Sequence, residues 1–151
     1  MKKLFATLCT LLALTFLAQA KAPAGWMEDY DKALAKAKAE KKNLLLDFTG
    51  SDWCGYCMKL DGEVFDTAKF KAWAKENVIL VQVDFPQGKK LSGKLQKQNE
   101  ALKAKYGANG FPTVIVLDAD EKVLVKRGGY TPGSGAEAYL AGLKPATVAK
   151  P

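Results

Sequence analysis

The stretch Leu44-Leu45-Leu46-Asp47-Phe48, followed after a short polar segment by Trp53-Cys54-Gly55-Tyr56-Cys57, decides how this chain reads. A continuous apolar run bounded by turn residues predicts a buried strand over residues 43–48. Thr49 to Trp53 then turns the chain, and a helix is expected from about Cys54 to Glu63. Two cysteines separated by two residues can close a small disulfide ring at little cost in loop entropy. If the first stands where strand becomes helix, the helix dipole stabilises its thiolate. Such a dithiol can be oxidised, reduced and attacked repeatedly.

Working outward, Trp26, Tyr30, Ala33, Leu34 and Ala37 recur at helical spacing and predict an amphipathic helix over 26–42. Asp66 is the expected N-cap of a helix over 67–76, with Phe70, Trp73 and Ala74 facing inward. Trp26, Trp73 and Phe70 are assigned to the core rather than to a binding surface. A strand is expected over 78–85 and a loop over 86–90. Leu91, Leu95, Leu102 and Tyr106 mark a helix beginning near Ser92. Gly107 and Gly110 interrupt the chain before Phe111-Pro112-Thr113. Strands are expected over 113–117 and 123–127, and a last helix over 136–143. The turn between those two strands is too short for a crossover, so they must form an antiparallel hairpin. This order implies an α/β domain with a central mixed β-sheet flanked by helices on both faces.

Residues 1–20 read as a cleavable signal peptide: Lys2 and Lys3, an apolar run from Leu4 to Leu17, then Ala18-Gln19-Ala20. The run is shorter than the roughly 20 residues of a membrane span, so no stable membrane insertion is expected after cleavage. Periplasmic or otherwise exported localisation follows, with the domain over 21–144 and a disordered tail over 145–151. Of the three cysteines, Cys9 leaves with the signal, and the remaining two are the pair. The chain has no histidine. Two cysteines alone cannot complete a four-ligand zinc site, and no metal or other cofactor is expected. The net charge of +7 falls by two on loss of Lys2 and Lys3. The remaining lysines read as solvated helix faces, and the lack of interleaved aromatics argues against nucleic-acid binding.

The apolar strand ending in Asp47-Phe48, Trp53-Cys54-Gly55-Tyr56-Cys57 opening a helix, and Gly110-Phe111-Pro112-Thr113 before a later strand together resemble the thioredoxin superfamily. The likeness is to exported bacterial thioredoxin-like proteins of the disulfide reductase and isomerase type. It covers roughly Leu44 to Leu143. The resemblance implies a thioredoxin-like fold and a thiol–disulfide oxidoreductase. It implies that Cys54 is the nucleophile, Cys57 the resolving sulfur and Trp53 an apolar wall. Pro112 corresponds to the family's cis-proline, and Phe111, Gly55 and Tyr56 to the surface that meets a client. Asp47 corresponds to the buried acid that takes the resolving cysteine's proton. The family pattern has one residue fewer between that acid and the first cysteine. The extra residue within 49–52 either forms a bulge or displaces Asp47.

Gly55-Tyr56 differs from the Gly-Pro of typical thioredoxins and matches the Gly-Tyr of a periplasmic disulfide isomerase. It brings no positive charge between the cysteines, which implies a reducing to intermediate potential. The expected partners are client proteins with disulfides and an electron donor, with the protein itself a monomer. Two other readings stand beside this one. A non-catalytic module could use the disulfide as a staple, although so short a loop constrains the unfolded chain very little. A copper-delivery domain would want histidine or methionine near the pair, and only Met58 is adjacent.

Overall fold

The computed structural model describes residues 22–148. The signal-peptide segment, residues 1–20, therefore lies outside the described residues. Strand β1 (Trp26–Met27) leads into α1 (Tyr30–Glu40), then β2 (Asn43–Thr49) and α2 (Gly55–Leu60). A π-helical turn (Asp61–Phe65) continues α2 before α3 (Ala68–Asn77) and β3 (Val78–Asp84). Next come α4 (Gly93–Tyr106), β4 (Thr113–Leu117), β5 (Val123–Gly128), α5 (Gly135–Ala141) and a 3-10 turn (Lys144–Ala146).

The five strands lie in the order β1-β3-β2-β4-β5. β1 and β2 each pair parallel with β3, whereas β4 runs antiparallel to both β2 and β5. The sheet is therefore mixed, and its last two strands form the expected hairpin. Because side chains alternate across a strand, β2 supplies two cores. Leu45 faces Leu60, Val64, Phe65 and Tyr139, while Leu44, Leu46 and Phe48 face Ala33, Ala37 and Leu102. A strand buried on both faces has to be apolar throughout. That is why Asp47 stands out.

The expected helix over 26–42 begins later than its spacing suggested. Trp26 and Met27 form an edge strand opposite Leu80 and Val81, and Asp29 caps α1 by accepting the Lys32 N–H at 3.1 Å. Trp26 still packs against the core, its ring 5.1 Å from that of Phe65. Phe70 is fully buried and Trp73 packs partly buried against the same cluster.

The expected Asp66 cap is corrected to Thr67. Asp66 remains helical, its N–H bonded to the Asp61 carbonyl at 2.8 Å, so its side chain is not placed to cap. Thr67 is extended and accepts the Phe70 N–H at 3.2 Å. The stretch from residue 145, expected as a tail, also begins inside the packed body. Ala146 is buried, its carbonyl accepts from Asn43 Nδ2 at 2.9 Å, and the Val148 N–H donates to Asn77 Oδ1 at 3.0 Å. Residues 149–151 lie outside the described residues.

Candidate active site

Cys54 is the N-cap of α2, extended at φ −85° and ψ 100°. Its Sγ accepts the Cys57 N–H at 3.3 Å, so a backbone donor already faces the sulfur. Together with the helix dipole, that donor favours negative charge on Cys54. Cys57 lies one turn on, joined to Cys54 in a disulfide with Cα atoms 5.3 Å apart. Both cysteines are buried, Cys54 at 7% exposure and Cys57 at 1%. The more exposed of the two residues is the one at the helix start. Between them, Tyr56 is 60% exposed and a Cβ on Gly55 would meet no atom, so this rim of the site is open.

Trp53 covers the turn before the pair. Its indole lies close over Gly50, where a Cβ would collide with the ring. The Trp53 indole N–H donates to the Phe85 carbonyl at 2.8 Å, and the ring meets Phe111 edge-on at 5.7 Å. Phe111 in turn packs on Phe85 at 5.2 Å, and Lys103 Nζ lies over both rings. The Phe111-Pro112 peptide bond is cis. Thr113, the next residue, pairs with Phe48 at the end of β2. Trp53 and Phe111, far apart in sequence, thus meet beside the carboxyl end of β2, with Pro112 buried next to Phe111.

The acid before the longer loop, Asp47, is a residue of β2. It stands opposite Gln82 of β3 and Val114 of β4. The turn after β2 is closed by bonds from the Trp53 and Cys54 N–H groups to the Gly50 carbonyl at 3.2 and 2.8 Å. Asp47 is buried, and its Oδ1 has no hydrogen-bond partner among the described residues. Burial, reinforced by the charges of Asp61 and Asp84, pushes its carboxyl well above the usual carboxylate range. Such an acid is neutral where an ordinary aspartate is ionised.

Sequence reasoning missed the surrounding polar groups. Asp61, four residues after Cys57, is pushed up to about 6 by burial, with Asp66 and Asp84 adding to it. Asp84 is buried at the end of β3, where it accepts from Ser51 and pairs with Lys89 at 3.0 Å. Thr49, on the same face of β2 as Asp47, has a buried hydroxyl without a hydrogen-bond partner among the described residues. The position of Asp61 four residues from Cys57 was the available signal, since that spacing puts both on one helix face. An open cleft of about 640 Å³ adjoins this region, lined by Asp84, Phe85, Gln87, Lys89 and Asn99 among others. Among the described residues, no group of three or more His, Cys, Asp or Glu side chains could hold a metal ion. No helix among them is long and apolar enough to cross a membrane.

A mixed sheet of this order, with a Cys-x-x-Cys disulfide opening the helix after its central strand, defines a thiol–disulfide oxidoreductase of thioredoxin type. The chain belongs to the thioredoxin-like domain family, whose profile matches residues 30–144. It is 39% identical over 119 residues to the disulfide bond reductase DsbH of Chlamydia pneumoniae, covering 79% of this chain and 70% of that protein. It is 32% identical over 111 residues to the thioredoxin-related protein DsbJ of the same organism, covering 74% of this chain but 32% of DsbJ. A solved DsbH oxidoreductase superimposes with a TM-score of 0.74 at 32% identity, over 97% of this chain and 93% of that one. A thioredoxin from Thermus thermophilus, 18% identical with a TM-score of 0.57, covers 79% of this chain and 83% of its own and shares the fold.

Proposed function

We propose that this protein is an exported, monomeric reductase of protein disulfides, in which Cys54 attacks and Cys57 resolves. The observation that carries the reading is the asymmetry of the pair: Cys54 caps the helix and receives a backbone N–H, while Cys57 is enclosed. In the reduced protein the Cys54 thiolate attacks one sulfur of a client disulfide. A Cys54–client bond forms, the client S–S bond breaks, and its other sulfur leaves as a thiolate. Cys57 then gives up its proton and attacks Cys54, releasing the client as a dithiol and leaving Cys54–Cys57 oxidised. Two electrons pass to the client, and an exported dithiol donor must restore them. Asp47, in its ionised form, is the acceptor for the Cys57 proton. An acid with a raised pKa, sheltered from water, suits a transfer from a thiol better than an ordinary carboxylate does.

Trp53, Phe111 and Pro112 form the wall against which the client segment lies, with Gly55 and Tyr56 on its open side. Export is supported by the signal-like pattern of residues 1–20 and by the likeness to DsbH. The direction of electron flow rests on Gly55 and on Tyr56, a neutral residue at the rim that adds no positive charge to stabilise the Cys54 thiolate. A strong oxidant owes its potential to an exceptionally stabilised reduced form. Insulin reduction in the presence of dithiothreitol, and equilibration of the pair with glutathione, test the assignment. Catalysed reduction with a low potential is expected. A potential near ~−120 mV, that of a strong periplasmic oxidant, would reverse the direction.

A further inference from the structure

We propose that Asp52 and Asp84 are positioning residues of the redox pair, locking the turn that carries Cys54 onto the loop after β3; this rests on Cys54 being the attacking sulfur. The turn from Gly50 to Trp53 is short and polar, and only its last residue has a large apolar side chain. Left to itself, such a segment would sample many conformations. Here both of its neighbouring carboxylates use both oxygens across one seam. Asp84 Oδ1 accepts the Ser51 N–H at 2.9 Å, while Oδ2 accepts the Ser51 hydroxyl at 2.7 Å and pairs with Lys89 Nζ at 3.0 Å. Asp52 reaches in the opposite direction, accepting the Gln87 N–H at 3.0 Å and the Gly88 N–H at 2.7 Å.

The seam is anchored at both ends. The Asp84 carbonyl accepts from Asn99 Nδ2 at 2.9 Å, which ties it to α4. The Phe85 N–H donates to the Thr49 carbonyl, and the Phe85 carbonyl receives the Trp53 indole N–H, each at 2.8 Å. The approach is close at Gly88, where a Cβ would lie 3.1 Å from Asp52 Oδ2. Charge-assisted bonds of this kind hold a geometry more firmly than neutral ones. Cys54 inherits that geometry through its N–H bond to the Gly50 carbonyl at 2.8 Å. The turn over residues 50–53 thus becomes a clamp on the nucleophile.

A bare carboxylate two residues from Cys54 would also oppose its thiolate. Two N–H donors engage the Asp52 charge and hold its carboxyl below the usual carboxylate range. Positioning and simple electrostatics therefore predict opposite signs on removal of Asp52. Loss of the charge alone would lower the Cys54 pKa. Loss of the clamp would loosen the turn and the Cys57 N–H bond to Sγ, and would raise it.

The test uses the reduced full chain and its Asp52→Ala, Asp52→Asn and Ser51→Ala variants. The rate of attack on glutathione disulfide is followed by stopped flow, and the pH midpoint of Cys54 alkylation by iodoacetamide is measured alongside. Asp52→Ala should slow attack roughly tenfold, as expected for a misplaced reacting group, and should move the alkylation midpoint upward. Asp52→Asn, which keeps one acceptor oxygen, should fall between it and the unsubstituted protein. Ser51→Ala should slow attack with its circular dichroism unchanged. Unchanged rates, a downward midpoint in Asp52→Ala, or losses that only track unfolding would overturn the proposal. Failure of the unsubstituted protein to attack glutathione disulfide would instead remove the redox reading itself, and the proposal with it.

Discussion

Asp47 and Gln82 stand directly opposite one another in the parallel β2/β3 ladder, both buried. Gln82 is neutral; burial first, and then the charges of the acids Asp61 and Asp84, raise the Asp47 carboxyl. A buried carboxyl set among acids, with Oδ1 unbonded, weakens the fold when it ionises and gains a use as a proton acceptor.

The stability consequence has a definite sign. The folded-state pKa of Asp47 is raised, so the unfolded chain ionises first and stability is lost as pH rises above the ordinary carboxylate range. Asp47→Asn should therefore be more stable than the unsubstituted protein at alkaline pH, by about 1–3 kcal/mol, and nearly equal to it in acid. Urea unfolding at two pH values measures the difference. Equal stability in both would contradict the buried, unpaired carboxyl. The same variant should release mixed disulfides more slowly near neutral pH.

Asp61 provides an independent check. With its pKa pushed up to about 6, its penalty builds between about pH 4 and about pH 6 and then levels off. Asp61→Asn should remove that penalty, raising stability by about 1–2 kcal/mol above the window once solvent screening is allowed for. Thermal unfolding across this range should show the two proteins diverging only as pH rises through it.

The two sulfurs should behave unequally. Cys57→Ser leaves the attacking thiol but no means of release, so mixed disulfides with clients or glutathione should accumulate. Cys54→Ser should accumulate none, because Cys57 is 1% exposed. Mass spectrometry of both variants after exposure to an oxidised client decides the order, and the reverse pattern would sink it.

Gly50 is a steric prediction. A Cβ there would collide with the Trp53 indole, which must move and give up its bond to the Phe85 carbonyl. Gly50→Ala should cost about 1–3 kcal/mol and slow client reduction. Trp26 and Trp73 lie elsewhere, so tryptophan fluorescence is read in a Trp26→Phe, Trp73→Phe background. Unchanged fluorescence and activity there would show that Trp53 does not depend on close approach to Gly50.

Much of the site was legible because local chemistry dictated it. The apolar β2 run and the paired cysteines at a strand-to-helix junction are each marked within a few residues, whereas the cis bond before Pro112 is implied only by the family resemblance. The helix starts after Trp26 because a two-residue edge strand has no periodicity of its own and takes its form from Leu80 and Val81. The cap moved from Asp66 to Thr67 because the π-helical turn lets the helix run one residue further. The cysteine pair and the mixed sheet follow from short-range pattern along the chain, while a buried acid at Asp47 follows only from the family resemblance. Only the tertiary structure decided that Asp61 and Asp84 act on Asp47, and that Ser51 and Asp52 are held by a loop more than thirty positions away. Charges and hydrogen bonds act through space, and no spacing along the chain records which residues folding brings within their reach.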